Sequence, residues 1–391
     1  MTLYLNAMGV VGPLGANPAD VLKNLLAGDA TGMVPFEGLL TERSTTIGRA
    51  RAELIPVADE LAELDCRNNR LLARALDDIR EPVAALREQL GPARIAVVLG
   101  TSTSGIAAGE EAAVARAREG RMPPHYHYRQ QEIGTSAEFA ARSLQLTGLR
   151  YTISTACSSS AKAFASAARL IAAGKCDAAV VGGVDSLCEL TLNGFDALES
   201  LAAERCNPFS ANRRGINIGE GACVFVVSRR PGPLRLCGIG ESSDGYHISA
   251  PDPSGRGAEM AIRAALASAG IAPRDVGYVN LHGTGTPRND EMESEVIARI
   301  FGLDVACSST KSLMGHALGA AGAQELGLCW LLLSEANVER RLPAHGWDGV
   351  RDPALAFINL VGAGTRWERD VFVSNSFAFG GSNVALAIGR A

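Results

Sequence analysis

Residues 229–245 read Arg229-Arg230-Pro231-Gly232-Pro233-Leu234-Arg235-Leu236-Cys237-Gly238-Ile239-Gly240-Glu241-Ser242-Ser243-Asp244-Gly245. Two prolines around a glycine cannot continue a strand or a helix, so the chain breaks here, just after the apolar run Ala222–Val227. It then starts over. Leu234–Gly245 is a strand-then-glycine opening, as is Leu3–Gly15 (LYLNAMGVVGPLG) at the N-terminus. Each stretch leads through helical patterns to a closing apolar strand, ACVFVV in the first half and NVALAI in the second. Short apolar runs alternating with alanine-rich amphipathic stretches predict an α/β protein with buried sheets. The organisation read from this is two similar halves, 1–230 and 231–391, packed as one unit.

Working outward, strands are expected at Arg94–Gly100, Ala178–Gly183, Ala222–Val227 and Val276–Leu281. Helices are expected at Asn69–Leu90, Ser158–Ala173, Gly257–Ala269, Glu291–Phe301 and Gly319–Ser334. FVSNSF and NVALAI flank AFGGS as a hairpin with a glycine-built turn. Residues 102–145, with little strand character and the tract MPPHYHY, read as a cap-like insertion in the first half.

Composition narrows the function classes. Hydrophobic content of 47% with 20% charged residues is that of a soluble globular enzyme. A net charge of −5 argues against wholesale nucleic-acid binding. The nine cysteines are scattered with no C-x-x-C pair, which signals neither a zinc site nor a redox dithiol and suits a reducing cytosol. The opening MTLYLNAMGVVGPLG has no basic n-region and meets glycine and proline early, so neither a signal peptide nor a membrane span is expected.

Four stretches could carry chemistry. Cys157, in Thr155-Ala156-Cys157-Ser158-Ser159-Ser160, lies where small residues give way to a helical run. A thiol at such a strand-to-helix turn meets unpaired N–H groups and the positive end of a helix, which favours the thiolate. The alternative is a buried structural cysteine. His282 opens HGTGTP at the end of the apolar run VGYVNL, where α/β folds place ligand contacts. His316 lies in KSLMGHALGAAG, and Lys311 at its head sits among small residues where an unpaired ammonium is costly. A surface-loop histidine is the plainer reading of His282, and a snorkelling lysine that of Lys311. NSFAFGGSN could offer N–H groups to an oxyanion. Other motifs fail: Gly238 and Gly240 lack the third glycine of a dinucleotide fingerprint, and His125 and His127 have no acidic partner cluster to make a metal site.

TACSSS, HGTGTP, KSLMGHALGAAG and NSFAFGGSN, in this order, resemble the elongating, Cys-His-His type of β-ketoacyl-acyl carrier protein synthase. The resemblance runs from LNAMGVVGPLG to ALAIG. It implies a thiolase-like five-layered αβαβα sandwich and a cytoplasmic dimer, either a homodimer or a heterodimer with a ketosynthase-like paralogue. It implies Cys157 as the acyl-accepting nucleophile, and His282 and His316 as donors to the malonyl thioester oxygen. Lys311 would order the second histidine, with Glu293 as its ion-pair partner. Thr284 and Thr286 would hydrogen-bond the phosphopantetheine arm. Phe379 would gate the thiol and share the oxyanion hole with Cys157. The implied reaction is decarboxylative Claisen condensation with malonyl-acyl carrier protein, needing no metal or redox cofactor. The stretch RLPAHGWDGVRDP and the opening MTLYLNAMG depart from the housekeeping synthases and look more like accessory members of aryl-polyene or polyketide-type pathways.

Other classes are set aside by residues. A non-catalytic partner subunit lacks the cysteine that this chain keeps. A thiolase needs a second cysteine near the C-terminus, and none follows Cys329. A cysteine amidase leaves the second histidine and Lys311 unexplained.

Overall fold

The computed structural model describes residues 2–390. The strands are β1 (Leu3–Val11), β2 (Met33–Phe36), β3 (Thr45–Gly48), β4 (Ile95–Gly100), β5 (Arg150–Ile153) and β6 (Ala178–Asp185), then β7 (Gly221–Ser228) and β8 (Leu234–Ser243). They continue with β9 (Tyr278–Asn280), β10 (Ala306–Ser308), β11 (Val371–Ala378) and β12 (Ser382–Arg390). The helices are α1 (Pro18–Ala27), α2 (Arg67–Asp77), α3 (Arg80–Leu90), α4 (Ile106–Glu119), α5 (Thr135–Ser143) and α6 (Ser159–Ala172). After them come α7 (Glu189–Ala197), α8 (Arg256–Ala269), α9 (Pro287–Phe301), α10 (Lys311–Met314) and α11 (Ala321–Leu333).

Ten strands form one ladder in the order β10-β9-β11-β12-β8-β1-β7-β6-β4-β5. Read outward from its middle, β1-β7-β6-β4-β5 and β8-β12-β11-β9-β10 repeat one pattern: two antiparallel pairings followed by two parallel ones. Among the described residues, Leu3–Leu5 and Leu234–Leu236 alone join the two at β1 and β8. Helices α6 and α11 lie between the two half-sheets, α2 and α5 cover the outer face of the first, and α8 packs on the second beside α9. This is the layered α/β arrangement of the thiolase-like fold. Strands covered on both faces read as unbroken apolar runs: every residue of β6 and β7 is buried. Helix α11 is buried nearly all round, as a middle layer requires. Gly238 and Gly240 serve this packing: a Cβ on either would lie 2.1 or 1.9 Å from the carbonyl oxygens of Ala265 and Ala261 in α8.

One expectation changes. The helix expected over Asn69–Leu90 is two helices, α2 and α3, because Pro82 can neither bond back to Asp78 nor clear its carbonyl. Within 102–145 the chain forms α4 and α5. Helix α5 buries Ala137, Phe139 and Ala140 in the core with Leu71 and Leu99, so it belongs to the outer layer. Among the described residues, no helix is long and apolar enough to cross a membrane.

Candidate active site

Four segments leave the carboxyl ends of parallel strands at one place: Cys157 follows β5, His282 follows β9, Lys311 follows β10 and Phe379 follows β11. That is where open α/β sheets present their functional groups. The start of α6 can approach β4 only because residue 100 is glycine, whose Cβ would lie 2.2 Å from the Ser160 nitrogen. Ala156, in the left-handed region at φ 50°, turns the chain so that Cys157 stands just ahead of the helix cap Ser158.

The thiol and one nitrogen of each of His282 and His316 lie within 4.8 Å of one another, all three residues being buried. The two imidazoles meet edge-on, with ring centroids 5.3 Å apart. They form part of the wall of a cavity of about 350 Å³, together with Phe195, Thr284, Thr286 and Phe379. The Thr284 and Thr286 hydroxyls are hydrogen-bonded to each other at 2.8 Å. The Phe379 N–H bonds to the Cys157 thiol, and its half-buried ring packs 5.5 Å from that of Phe195. Neither ring nitrogen of His316 has a protein partner, nor does Nδ1 of His282. Buried polar atoms left unpaired in this way are available to a substrate. His125 and His127 take no part in any cluster of metal-ligating side chains among the described residues.

The electrostatics are those of a dry site. Burial, with Lys311 adding to it, holds both histidines neutral, well below the ordinary imidazole range. Each therefore keeps one N–H to donate. The expectation that the helix start favours a Cys157 thiolate is corrected by the same burial. The thiol is pushed up to about 12, with Lys311 and the Phe379 N–H pulling the other way. A helix terminus contributes at most about 2 kcal/mol, less than removing water from a thiolate costs. Cys157 is a neutral thiol at rest.

The partner expected for Lys311 is also corrected. Its ammonium bonds the carboxylate of Glu325 and the carbonyl of His282. Glu293 faces the other way and takes the N–H groups of His282 at 2.8 Å and Gly283 at 2.7 Å. The cause is positional. Glu293, on α9, looks onto the first residues of HGTGTP, whose donors need an acceptor, whereas Glu325 on α11 reaches the start of α10. Burial raises the Glu325 carboxyl, and Lys311 opposes that rise. Burial raises Glu293 to about 7, against its two N–H donors.

Comparison with known proteins agrees with this geometry. The family models described as "Beta-ketoacyl synthase, N-terminal domain" and "Beta-ketoacyl synthase, C-terminal domain" match residues 5–231 and 235–345. The chain belongs to the β-ketoacyl synthase family. It is 39% identical over 259 residues to nodulation protein E of Rhizobium meliloti, covering 63% of each chain, so the match spans less than two thirds of that relative's length. Against 3-oxoacyl-[acyl-carrier-protein] synthase 2 of Coxiella burnetii it is 29% identical over 99% of this chain and 98% of that one. Its structure resembles the ketosynthase ApeO, solved in complex with its chain length factor ApeC from Xenorhabdus doucetiae, at TM-score 0.95 and 47% identity. The match covers 100% of this chain and 98% of that one.

Sequence reasoning missed several supports of this synthase-family site. Glu325 is the sole charged residue of the buried helix α11, a signal that pointed to a buried cation. Asn217 offers its carbonyl oxygen to the His316 N–H at 2.8 Å, while the His316 carbonyl takes the Gly219 N–H at 2.9 Å. His345, buried, accepts the Ser309 N–H at Nδ1 (3.1 Å) and donates from Nε2 to the Pro208 carbonyl (2.9 Å). Nothing in the local sequence announces either of those two roles.

Proposed function

We propose that the protein condenses an acyl group held on Cys157 with a malonyl unit delivered by an acyl carrier protein, releasing carbon dioxide. The observation that carries this is a buried thiol beside two neutral imidazoles with unpartnered nitrogens, with the Phe379 N–H on its sulfur. In the first half-reaction the Cys157 sulfur attacks the acyl thioester carbonyl, and the negative oxygen rests on the N–H groups of Cys157 and Phe379. The bond to the carrier's sulfur breaks, and that thiol leaves with the proton. In the second, the malonyl carbon–carboxylate bond breaks and its electron pair moves to the thioester oxygen. His282 and His316 donate to that enolate oxygen. The enolate carbon then attacks the acyl–Cys157 carbonyl, and the Cys157 sulfur leaves as the thiolate and takes a proton from water to restore the thiol.

Lys311 and Glu325 hold the His282 carbonyl and the start of the KSLMGH segment in place for this. The Thr284 and Thr286 hydroxyls on the cavity wall suit the amide groups of a phosphopantetheine arm. No metal or redox cofactor enters either half-reaction. The chemistry is that of fatty acid or polyketide-type chain elongation.

The partners in this reading are an acyl carrier protein and a second chain of the same fold. The likeness to a ketosynthase solved with its chain length factor supports a ketosynthase-like paralogue as that second chain. Strand β5, which leads to Cys157, is the end strand of the sheet and pairs only with β4 among the described residues. Incubation with an acyl thioester, followed by digestion and mass spectrometry, tests the first half-reaction. The acyl mass is expected on the peptide containing Cys157. An adduct on another cysteine, or free acid with no adduct, contradicts the reading.

A further inference from the structure

The two N–H donors of the oxyanion hole come from opposite halves of the molecule. One follows β5, the other follows β11, and these strands do not pair. Their separation decides whether both reach one oxygen, and donors displaced by about 1 Å lose most of their effect. The Phe379 donor sits in a turn through Gly380 and Gly381, both at positive φ, with Gly380 exposed. That turn is tethered through the Gly380 N–H to the Ile248 carbonyl and through the Gly381 carbonyl to the Asp244 N–H, each at 2.8 Å. Both tethers lead to the 244–252 loop and neither leads to the nucleophile. Apart from the Phe379 N–H on the Cys157 sulfur itself, the nucleophile turn is joined to this turn by the Ser158 and Ser382 hydroxyls, 2.9 Å apart. Ser158 is fully buried, and its Oγ also bonds the Thr155 carbonyl at 2.9 Å, which fixes its rotamer on the nucleophile's side.

We propose that the Ser158–Ser382 hydroxyl pair sets the register of the oxyanion hole, making Ser382 a positioning residue for acyl transfer to Cys157. Ser382 touches neither the thiol nor the histidines in this role. It holds the Phe379 N–H over the Cys157 sulfur. The inference rests on the reading of Cys157 as the acyl acceptor. It predicts that loss of the bond slows acylation and leaves the malonyl half-reaction intact, because His282 and His316 stand on other segments.

The test is Ser382→Ala, assayed with hexanoyl-N-acetylcysteamine for the rate of Cys157 acylation and with a malonyl thioester for carbon dioxide release. Acylation is expected to fall about tenfold with decarboxylation unchanged, as a displaced rather than deleted oxyanion donor would give. Ser382→Thr, which keeps the hydroxyl, is expected to restore it. Ser158→Ala and the double variant complete a cycle, in which the second substitution should add little to the first. Unchanged acylation in Ser382→Ala, an equal fall in both half-reactions, failure of threonine to rescue, or full additivity overturns the proposal. A wild-type protein that takes no acyl group on Cys157 overturns the underlying reading instead, and this inference with it.

Discussion

At the scale of single residues, the proposed reaction divides its chemistry among Cys157, His282 and His316, which the fold brings together. Cys157→Ala removes the acyl acceptor and leaves both imidazoles, so acyl-enzyme formation should vanish while malonyl decarboxylation persists. His282→Ala or His316→Ala should lower decarboxylation on the order of a hundredfold, the usual cost of deleting an oxyanion donor. Because burial holds both histidines neutral, decarboxylation by Cys157→Ala should not decline between about pH 7 and 8. Carbon dioxide release measured across that range checks this, and a titration near pH 7 would show an imidazolium in the site. Lys311 offers a second test. Lys311→Ala leaves the Glu325 carboxylate buried and unpaired, a loss of roughly 3–5 kcal/mol. Lys311→Met with Glu325→Gln should recover much of the stability but not the turnover. Glu293→Gln should leave the Lys311–Glu325 pair intact. Denaturant titration beside activity decides between this pairing and one with Glu293. That Cys157, His282 and His316 belong together was legible from the order of their motifs, although each residue alone had a plainer reading. Glu325 needed a different question, namely which cation an isolated acid in an apolar helix answers.

At the scale of elements, β5, β9 and β10, which lead to the site, are short, and the end of β10 is pinned by a side chain from elsewhere. Ser309, next after β10, is held by His345, whose burial depresses its imidazole to about 4. In the unfolded chain this group titrates near its ordinary value, so between roughly pH 6.5 and 4 the unfolded chain binds a proton that the fold does not. Its stabilisation is therefore complete above that window and is lost as pH falls through it. His345→Leu leaves the Ser309 N–H and the Pro208 carbonyl unpaired and should cost about 2 kcal/mol or more at pH 7.5. The gap between the two proteins should narrow at pH 5. A gap that widens on acidification would mean that His345 is charged in the fold. Most element centres were readable from periodicity, since an apolar run in a sheet covered on both faces has few alternatives. The division of α2 from α3 was also present in the sequence as Pro82. The roles of His345 and Asn217 were not, because they depend on contacts with segments over 100 residues and about 100 residues away along the chain, which local pattern does not encode.

At the scale of the molecule, the account rests on two half-sheets of the same strand order meeting around one cavity. The first supplies Cys157, the proposed nucleophile. The second supplies both histidines, the lysine and the Phe379 N–H. The break at Arg229–Pro233 and the repeated openings made the duplication readable, and the β1–β8 pairing shows why the two sheets act as one frame. The cavity, which no single motif contains, could not be read in advance. The measurement that tests the central claim most directly is condensation with malonyl-carrier labelled with carbon-13 in its free carboxyl group. The account predicts one labelled carbon dioxide for each β-ketoacyl product two carbons longer than the primer, with the primer passing through Cys157. It also predicts no product from Cys157→Ala and strongly reduced product from either histidine variant. Product that retains the label, free acid in place of condensation, or wild-type condensation by both histidine variants would contradict it.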